Sequence, residues 1–166
     1  MGFGPTNVLR GVRTINKKRI LKKLLIFTLL WLMSVSSPVV AIHKDALLKY
    51  KEAVTQVQAG NKPYAIARLE EAISIDPNDS LLYIKLGQLQ EESGNWQAAV
   101  KAYLNASKID PTDSFIFITI GNIYHQKEMY DQASLYYKKA IALAPQYDFT
   151  YLNLAMAEEL KGNNKA

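Results

Sequence analysis

The sequence predicts an all-α chain built as a stack of antiparallel helix pairs. Three observations carry this. Asp76-Pro77 and Asp110-Pro111 stand 34 residues apart, and Pro145 follows after another 34. Between these prolines, apolar residues recur three and four apart, the spacing of one helix face. Gly94-Asn95, midway between Pro77 and Pro111, and Gly60-Asn61, at the same distance before Pro77, mark tight turns. A period of this size describes units that cannot bury their apolar faces alone and therefore stack on one another.

The units run 46–79, 80–113 and 114–147, with a partial fourth at 148–166. In the second unit the first helix shows Tyr83, Leu86, Gly87 and Gln90, and the second shows Ala99, Tyr103 and Ala106. The third repeats this as Phe117, Ile120, Gly121 and Tyr124, then Ala133, Tyr137 and Ala140. The first unit is looser, with Ala53, then Ala65, Leu69 and Ala72. Gly87 and Gly121 lack a side chain, which lets the second helix of each pair approach the first, and Ala53 does nearly the same. A ring or leucine four residues after each of Ala65, Ala99 and Ala133 fills the space beside it. Pro77, Pro111 and Pro145 stop one helix, after which Asp79 and Asp113 can cap the next. Unit three carries Lys127-Glu128 at its turn, so that turn is expected to be the least relaxed.

These residues resemble the tetratricopeptide repeat, whose pattern is an aromatic, then Leu-Gly and Tyr, later Ala and an aromatic, then Pro. The resemblance covers 46–161. Unit two departs from it at Gln90, and unit one at Lys49, Glu52 and Gln56. It implies a right-handed superhelix of three full repeats plus one terminal helix, with the first helix of each pair lining a concave face. It also implies binding of peptides or proteins there and no catalysis. Carried over residue by residue, the groove would consist of Tyr50, Val54, Leu81, Ile84, Lys85, Gln88, Phe115, Ile118, Asn122, His125, Phe149, Leu152, Asn153 and Met156. Leu47, Val57, Glu91 and Thr119 belong to the same surface. The inter-repeat core competes for Leu47, Leu81, Phe115 and Phe149, whereas Tyr50, Ile84, Ile118 and Leu152 are assigned to the groove. One subclass grips the terminal carboxylate of chaperone tails with Lys, Asn and Arg. Here those places hold Tyr50, Val54, Lys85, Phe115 and Thr119, with a single cation, so an apolar or amphipathic segment of a protein or peptide is the expected partner.

The 166 residues carry a net charge of +5, which first suggests a nucleic-acid binder. The charge is misplaced for that. Residues 1–41 hold Arg10, Arg13, Lys17, Lys18, Arg19, Lys22 and Lys23 with no acid, leaving the body 13 basic residues against all 15 acids. The body offers only the doublet Lys138-Lys139, and no nucleic-acid partner is expected.

Residues 1–41 read as a leader: a basic stretch, the apolar run 24–35, then Ser36 to Ala41. Val39 and Ala41 fit the small-residue pattern of signal-peptide cleavage. Extension of the apolar run through Pro38 to Ile42 would instead leave a single-pass anchor, in membrane contact. Either way, positive charge on the amino side places the body across the membrane: periplasmic, lumenal or secreted, or tethered there.

Chemistry is sparse. There is no cysteine, the only histidines are His43 and His125, and no glycine-rich phosphate loop, nucleophile elbow or zinc motif occurs. Adjacent glutamates such as Glu91-Glu92 point about 100° apart on a helix and form no facing acid–base pair. Neither a cofactor, a metal nor an enzymatic activity is expected. The final unit provides one helix, exposing Tyr151, Leu154 and Ala155 on a face that a further helix would cover. That edge is a candidate docking or homodimer seam. The reading is an exported or membrane-tethered adaptor, helping to assemble or stabilise a membrane-associated complex. The alternative is a non-catalytic regulatory subunit or domain of an envelope enzyme.

Overall fold

The structure is a computed structural model that describes residues 38–163. The chain divides into two compact units, Met1–Ile42 and His43–Ala166. The basic and apolar parts of the leader lie outside the described residues. Of the leader, only Pro38 to Ala41 fall within them. Among the described residues there are seven helices and no strand. They are α1 (Pro38–Gln58), α2 (Lys62–Ile75), α3 (Ser80–Glu92), α4 (Trp96–Ile109), α5 (Ser114–Gln126), α6 (Tyr130–Leu143) and α7 (Asp148–Asn163). Among these residues no helix is long and apolar enough to cross a membrane. The second unit is an all-α solenoid in which α1, α3 and α5 each pair with the helix that follows, and α7 closes the series.

The helices start and stop for local reasons. Pro38 is the first described residue of α1. Asp79 and Asp113 accept the backbone N–H groups of Leu81 and Phe115, each at 2.9 Å, capping α3 and α5. The turns inside the pairs are three copies of one motif. The N–H of Gly60 returns to the Val57 carbonyl and that of Asn61 to Gln56; Gly94 and Asn95 repeat this on Glu91 and Gln90. These 5→2 and 6→1 bonds satisfy carbonyls at the helix end and need a residue at positive φ. Gly60 and Gly94 supply it at φ 77° and 80°. In the third pair Glu128 takes that role at φ 59°, with Met129 in the asparagine place. The strained residue is thus Glu128, one place further along the turn than a pairing of Lys127-Glu128 with Gly-Asn implies.

Three apolar clusters run along the stack. Ala53, Ala65, Leu69 and Leu89 join α1, α2 and α3. Ala99, Val100, Tyr103, Ala106, Ile116, Ile120 and Ile123 form the largest, with Tyr83, Ile84, Trp96, Leu104, Tyr124 and Tyr136 packed around it. Ala133, Tyr137 and Ala157 carry α7, with Tyr124 and Leu154 alongside. The close approach that the glycines permit is direct. A Cβ on Gly87 would lie 2.9 Å from the Tyr103 ring, and one on Gly121 only 2.6 Å from the Tyr137 ring. Phe117, Tyr136 and Tyr124 stack in sequence at 6.5 and 5.6 Å, Trp96 meets Tyr124 edge-on, and Lys139 covers Tyr136 at 4.9 Å.

The two ends use charge where apolar area is short. Lys49 and Arg68 converge on Glu71, tying α1 to α2, while Lys138–Glu158 and Lys161–Asp131 tie α6 to α7. Exposed pairs of this kind contribute about 0–1 kcal/mol each, so they orient the end helices more than they hold them.

A candidate partner groove on the first helices

On α1, α3, α5 and α7, residues spaced three and four apart form one face of each helix, and these faces adjoin in a run of depressions. The first, of about 370 Å³, sets Tyr50, Val54, Val57 and Gln58 of α1 against Lys85, Gln88 and Glu92 of α3, with Ala53, Leu69 and Leu89 beneath. It is floored by apolar side chains, and its α3 wall is polar. Lys85 donates to the Gln88 carboxamide at 3.1 Å, and Lys62 pairs with Glu92 at 3.3 Å. Gln88, Glu91, Glu92 and Gln126 then line a shallower stretch towards α5.

The second end is built from amides. Asn122, His125 and Gln126 of α5, Asn153 and Met156 of α7, and Tyr137 of α6 surround a cavity of about 170 Å³. The Tyr137 hydroxyl donates to Asn122 Oδ1 at 2.8 Å, and Asn153 Nδ2 donates to the same oxygen at 3.3 Å. With that oxygen engaged, the Asn122 amide nitrogen is its remaining donor. His125 Nε2 is buried with no hydrogen-bond partner, and its ring meets Tyr130 edge-on at 5.5 Å. Burial raises the Tyr137 phenol to about 12, so it stays protonated and donates at any physiological pH. Tyr103, the equivalent residue one repeat earlier, reaches Glu91 at 3.4 Å; burial foremost and the Glu91 carboxylate next push its phenol up as well.

A third depression, of about 620 Å³, lies at the start of the first helices. Leu47, Tyr50 and Leu81 share it with Asp76, Asn78 and Asp79. Further along the same edge, the Phe115 and Tyr147 rings meet at 5.1 Å, and Tyr147 meets Phe149 at 5.6 Å.

The residues assigned to the groove from sequence therefore separate. Tyr50, Val54, Lys85 and Gln88 come together at one end, and Asn122, His125, Asn153 and Met156 at the other. Leu81, Phe115 and Phe149 sit half-exposed on the edge, and Leu152 is the most exposed of the set at 62 %. Ile84 is only partly buried and packs on the central cluster. Ile118 is a correction: it is 5 % exposed and belongs to the interior. In α5, six residues of thirteen are buried, against three in α3, so the side chain equivalent to Ile84 is enclosed there. At the carboxyl-terminal edge, Tyr151 and Ala155 are exposed, while Leu154 is partly covered against Ala133, Tyr137 and Ala157.

Three contributors escaped the sequence reading. Tyr137 seemed only a core ring, yet it is long enough to cross over Gly121 and present its hydroxyl to Asn122. Asp76 and Asp79 were read as helix punctuation, and they also wall the 620 Å³ depression. Among the described residues, no group of three or more His, Asp or Glu side chains is placed to hold a metal ion.

Comparison with known proteins places this geometry. The Tetratricopeptide repeat family pattern matches residues 115–147, and a second pattern of the same description matches 69–101. Among solved structures, the crystal structure of MamA protein superimposes with a TM-score of 0.63 at 24 % identity, over 71 % of this chain and 64 % of that one. The chain thus spans a little under two thirds of that relative. The Arabidopsis OM64 TPR domain gives 0.61 at 15 % identity, over 71 % of this chain and 98 % of that one. The first TPR of Spaghetti (RPAP3), bound to the HSP90 peptide SRMEEVD, gives 0.62 at 13 % identity, over 72 % and 94 %. No curated protein sequence matches the chain.

Proposed function

We propose that this tetratricopeptide-repeat protein is a non-catalytic adaptor, exported across a membrane or tethered to it, that holds a segment of a partner protein along its first helices. The role is to help assemble or stabilise a membrane-associated complex. The observation that carries the reading is the run of depressions from Tyr50 and Val54 to Asn153 and Met156, apolar at one end and amide-lined at the other. Amides suit a peptide backbone, and the apolar floor suits anchoring side chains. The basic and apolar leader in residues 10–35 supports delivery to or across a membrane.

The peptide bound by the RPAP3 repeat is acidic at its end, SRMEEVD. Here the places that would grip such a tail hold Tyr50, Val54, Lys85, Phe115 and Thr119. One cation among five favours a different partner chemistry, an apolar or amphipathic segment.

A photo-crosslinking residue placed at Gln88 of the full chain, compared with one at exposed Gln97 on α4, tests the adaptor. A partner adduct from Gln88 alone is expected, and it should disappear when Val54 and Leu152 are changed to Glu. Equal adducts from both positions would place the contact elsewhere. Amino-terminal sequencing of the mature protein separates cleavage after Ala41 from retention as an anchor.

A further inference from the structure

We propose, resting on the adaptor reading above, that the edge beside that groove takes a second element of the partner, a basic amphipathic helix lying along the start of the first helices. Its apolar anchors seat on Leu47, Leu81, Phe115 and Phe149, and its basic flank faces an aspartate rim.

The four anchoring residues stand 34 apart, at one register position in every repeat, and are exposed by 49, 47, 52 and 45 %. Scattered surface apolar residues are ordinary, but the same place left open in four successive units is a repeated feature of one edge. It has depth at one end, where Leu47 and Leu81 share the 620 Å³ depression. It has continuity at the other, where Tyr147 bridges the Phe115 and Phe149 rings.

Charge and spacing narrow the occupant. Asp76 and Asp79 line the depression beside Leu47 and Leu81, Asp110 and Asp113 hold the same register places one repeat on, and Asp148 directly precedes Phe149. The stretches 76–84, 110–126 and 144–149 contain no Lys or Arg. Asp79 and Asp113 each spend one oxygen on a backbone cap, which fixes their side chains at the rim. Such a border attracts cations and rejects an acidic segment. Packed helices stand roughly 8–10 Å apart, which sets the rungs. A partner helix returns the same face every seven residues, after about 10.5 Å, which matches the upper end of this spacing. A strand returns the same face after about 6.7 Å, short of the whole range. The fitting occupant is therefore a helix of about three heptads, with one apolar residue per heptad on the strip and Lys or Arg on the flank towards the loops.

Fluorescent synthetic helices of about 25 residues, with leucines in heptad spacing, serve as probes of the full chain by anisotropy. One carries Lys on the flank, a second Glu, and a third has the leucines shifted to spacing of five. The Lys peptide is expected to bind at least about tenfold more tightly than either control and to weaken as salt rises. Changing Asp79, Asp113 and Asp148 together to Asn should cost most of that advantage with far-UV circular dichroism unchanged, because asparagine still caps a helix. Leu81→Ser with Phe115→Ser should remove binding. Equal affinity for the Lys and Glu peptides, indifference to the Asn substitutions, or no binding of any peptide would overturn this proposal. The adaptor reading would then survive if the Gln88 adduct persists, and would fall separately if that adduct is absent.

Discussion

Gly121→Ala isolates the close packing that sets the helix-pair geometry. The new methyl would lie 2.6 and 2.7 Å from two carbons of the Tyr137 ring, where ordinary contact begins near 3.4 Å. Tyr137 cannot swing aside: it is 1 % exposed, and its hydroxyl is held by Asn122 at 2.8 Å. Alanine improves helix propensity by about 1 kcal/mol over glycine, while overpacking of this kind costs about 1–3 kcal/mol. At 2.6 Å the cost falls in the upper part of that range, about 2–3 kcal/mol, so the net expectation is destabilisation by roughly 1–2 kcal/mol. At Gly87 the nearest ring atoms are at 2.9 Å, and the Tyr103 hydroxyl bond is longer at 3.4 Å, so Gly87→Ala should fall near zero to about 1 kcal/mol. The first repeat shows the way out, because Ala53 and Leu69 occupy the equivalent places and pack in one cluster. Tyr137→Leu alone should destabilise by about 2 kcal/mol through lost volume and the lost bond to Asn122. In that background Gly121→Ala should reverse sign and stabilise by about 1 kcal/mol. Urea unfolding of the four chains of this double-mutant cycle, followed by far-UV circular dichroism, measures the coupling, expected at about 2–3 kcal/mol. If Gly121→Ala has the same effect with Tyr137 and with Leu at that position, the ring is not what excludes the methyl and the account fails.

Three further predictions concern the backbone and pH. Glu128→Gly should raise stability by about 1 kcal/mol, since a side chain at φ 59° is strained, whereas Gly94→Ala should lower it by a similar amount; urea midpoints check both. Asp79→Ala and Asp113→Ala should each cost about 1 kcal/mol through the lost cap, while the Asn substitutions should cost only a few tenths; a full loss in the Asn variants would contradict the capping role. Burial raises the phenols of Tyr137, to about 12, and Tyr103 above the unfolded value of about 10. The folded state thus favours the protonated ring, so this contribution is complete below about pH 10 and declines as pH rises towards 12. Thermal melting across that range should show the decline, shallower in Tyr137→Phe; an unchanged slope in the variant would show that Tyr137 is not its source.

What could be read from the sequence was what one helix or one turn decides by itself. The 34-residue period, the glycine under each tyrosine ring, the capping aspartates and the awkward third turn all follow from local stereochemistry. The groove was only partly legible, because periodicity assigns a side chain to a face without saying how far neighbours cover that face. Ile84 and Ile118 hold the same register place, yet one is half-covered and the other enclosed. The helical stretch from Pro38 to Asp45, ahead of the repeat register, was not reported by residue spacing within the repeats. Tyr137 illustrates a third limit. Its ring belongs to the packing pattern and its oxygen to the surface, and residue spacing reports only the first.

That divided tyrosine gives the two ends of the groove unequal freedom to change. Substituting Asn122 to suit a new partner would strand the Tyr137 hydroxyl and release Asn153 from the same oxygen, so a change of specificity there is also a change of stability. Val54 and Val57 carry no bond to the interior and are more than a third exposed, so they can be replaced at little cost to the fold. The α1 end of the groove can thus be altered almost independently of the fold, whereas the α5–α7 end cannot.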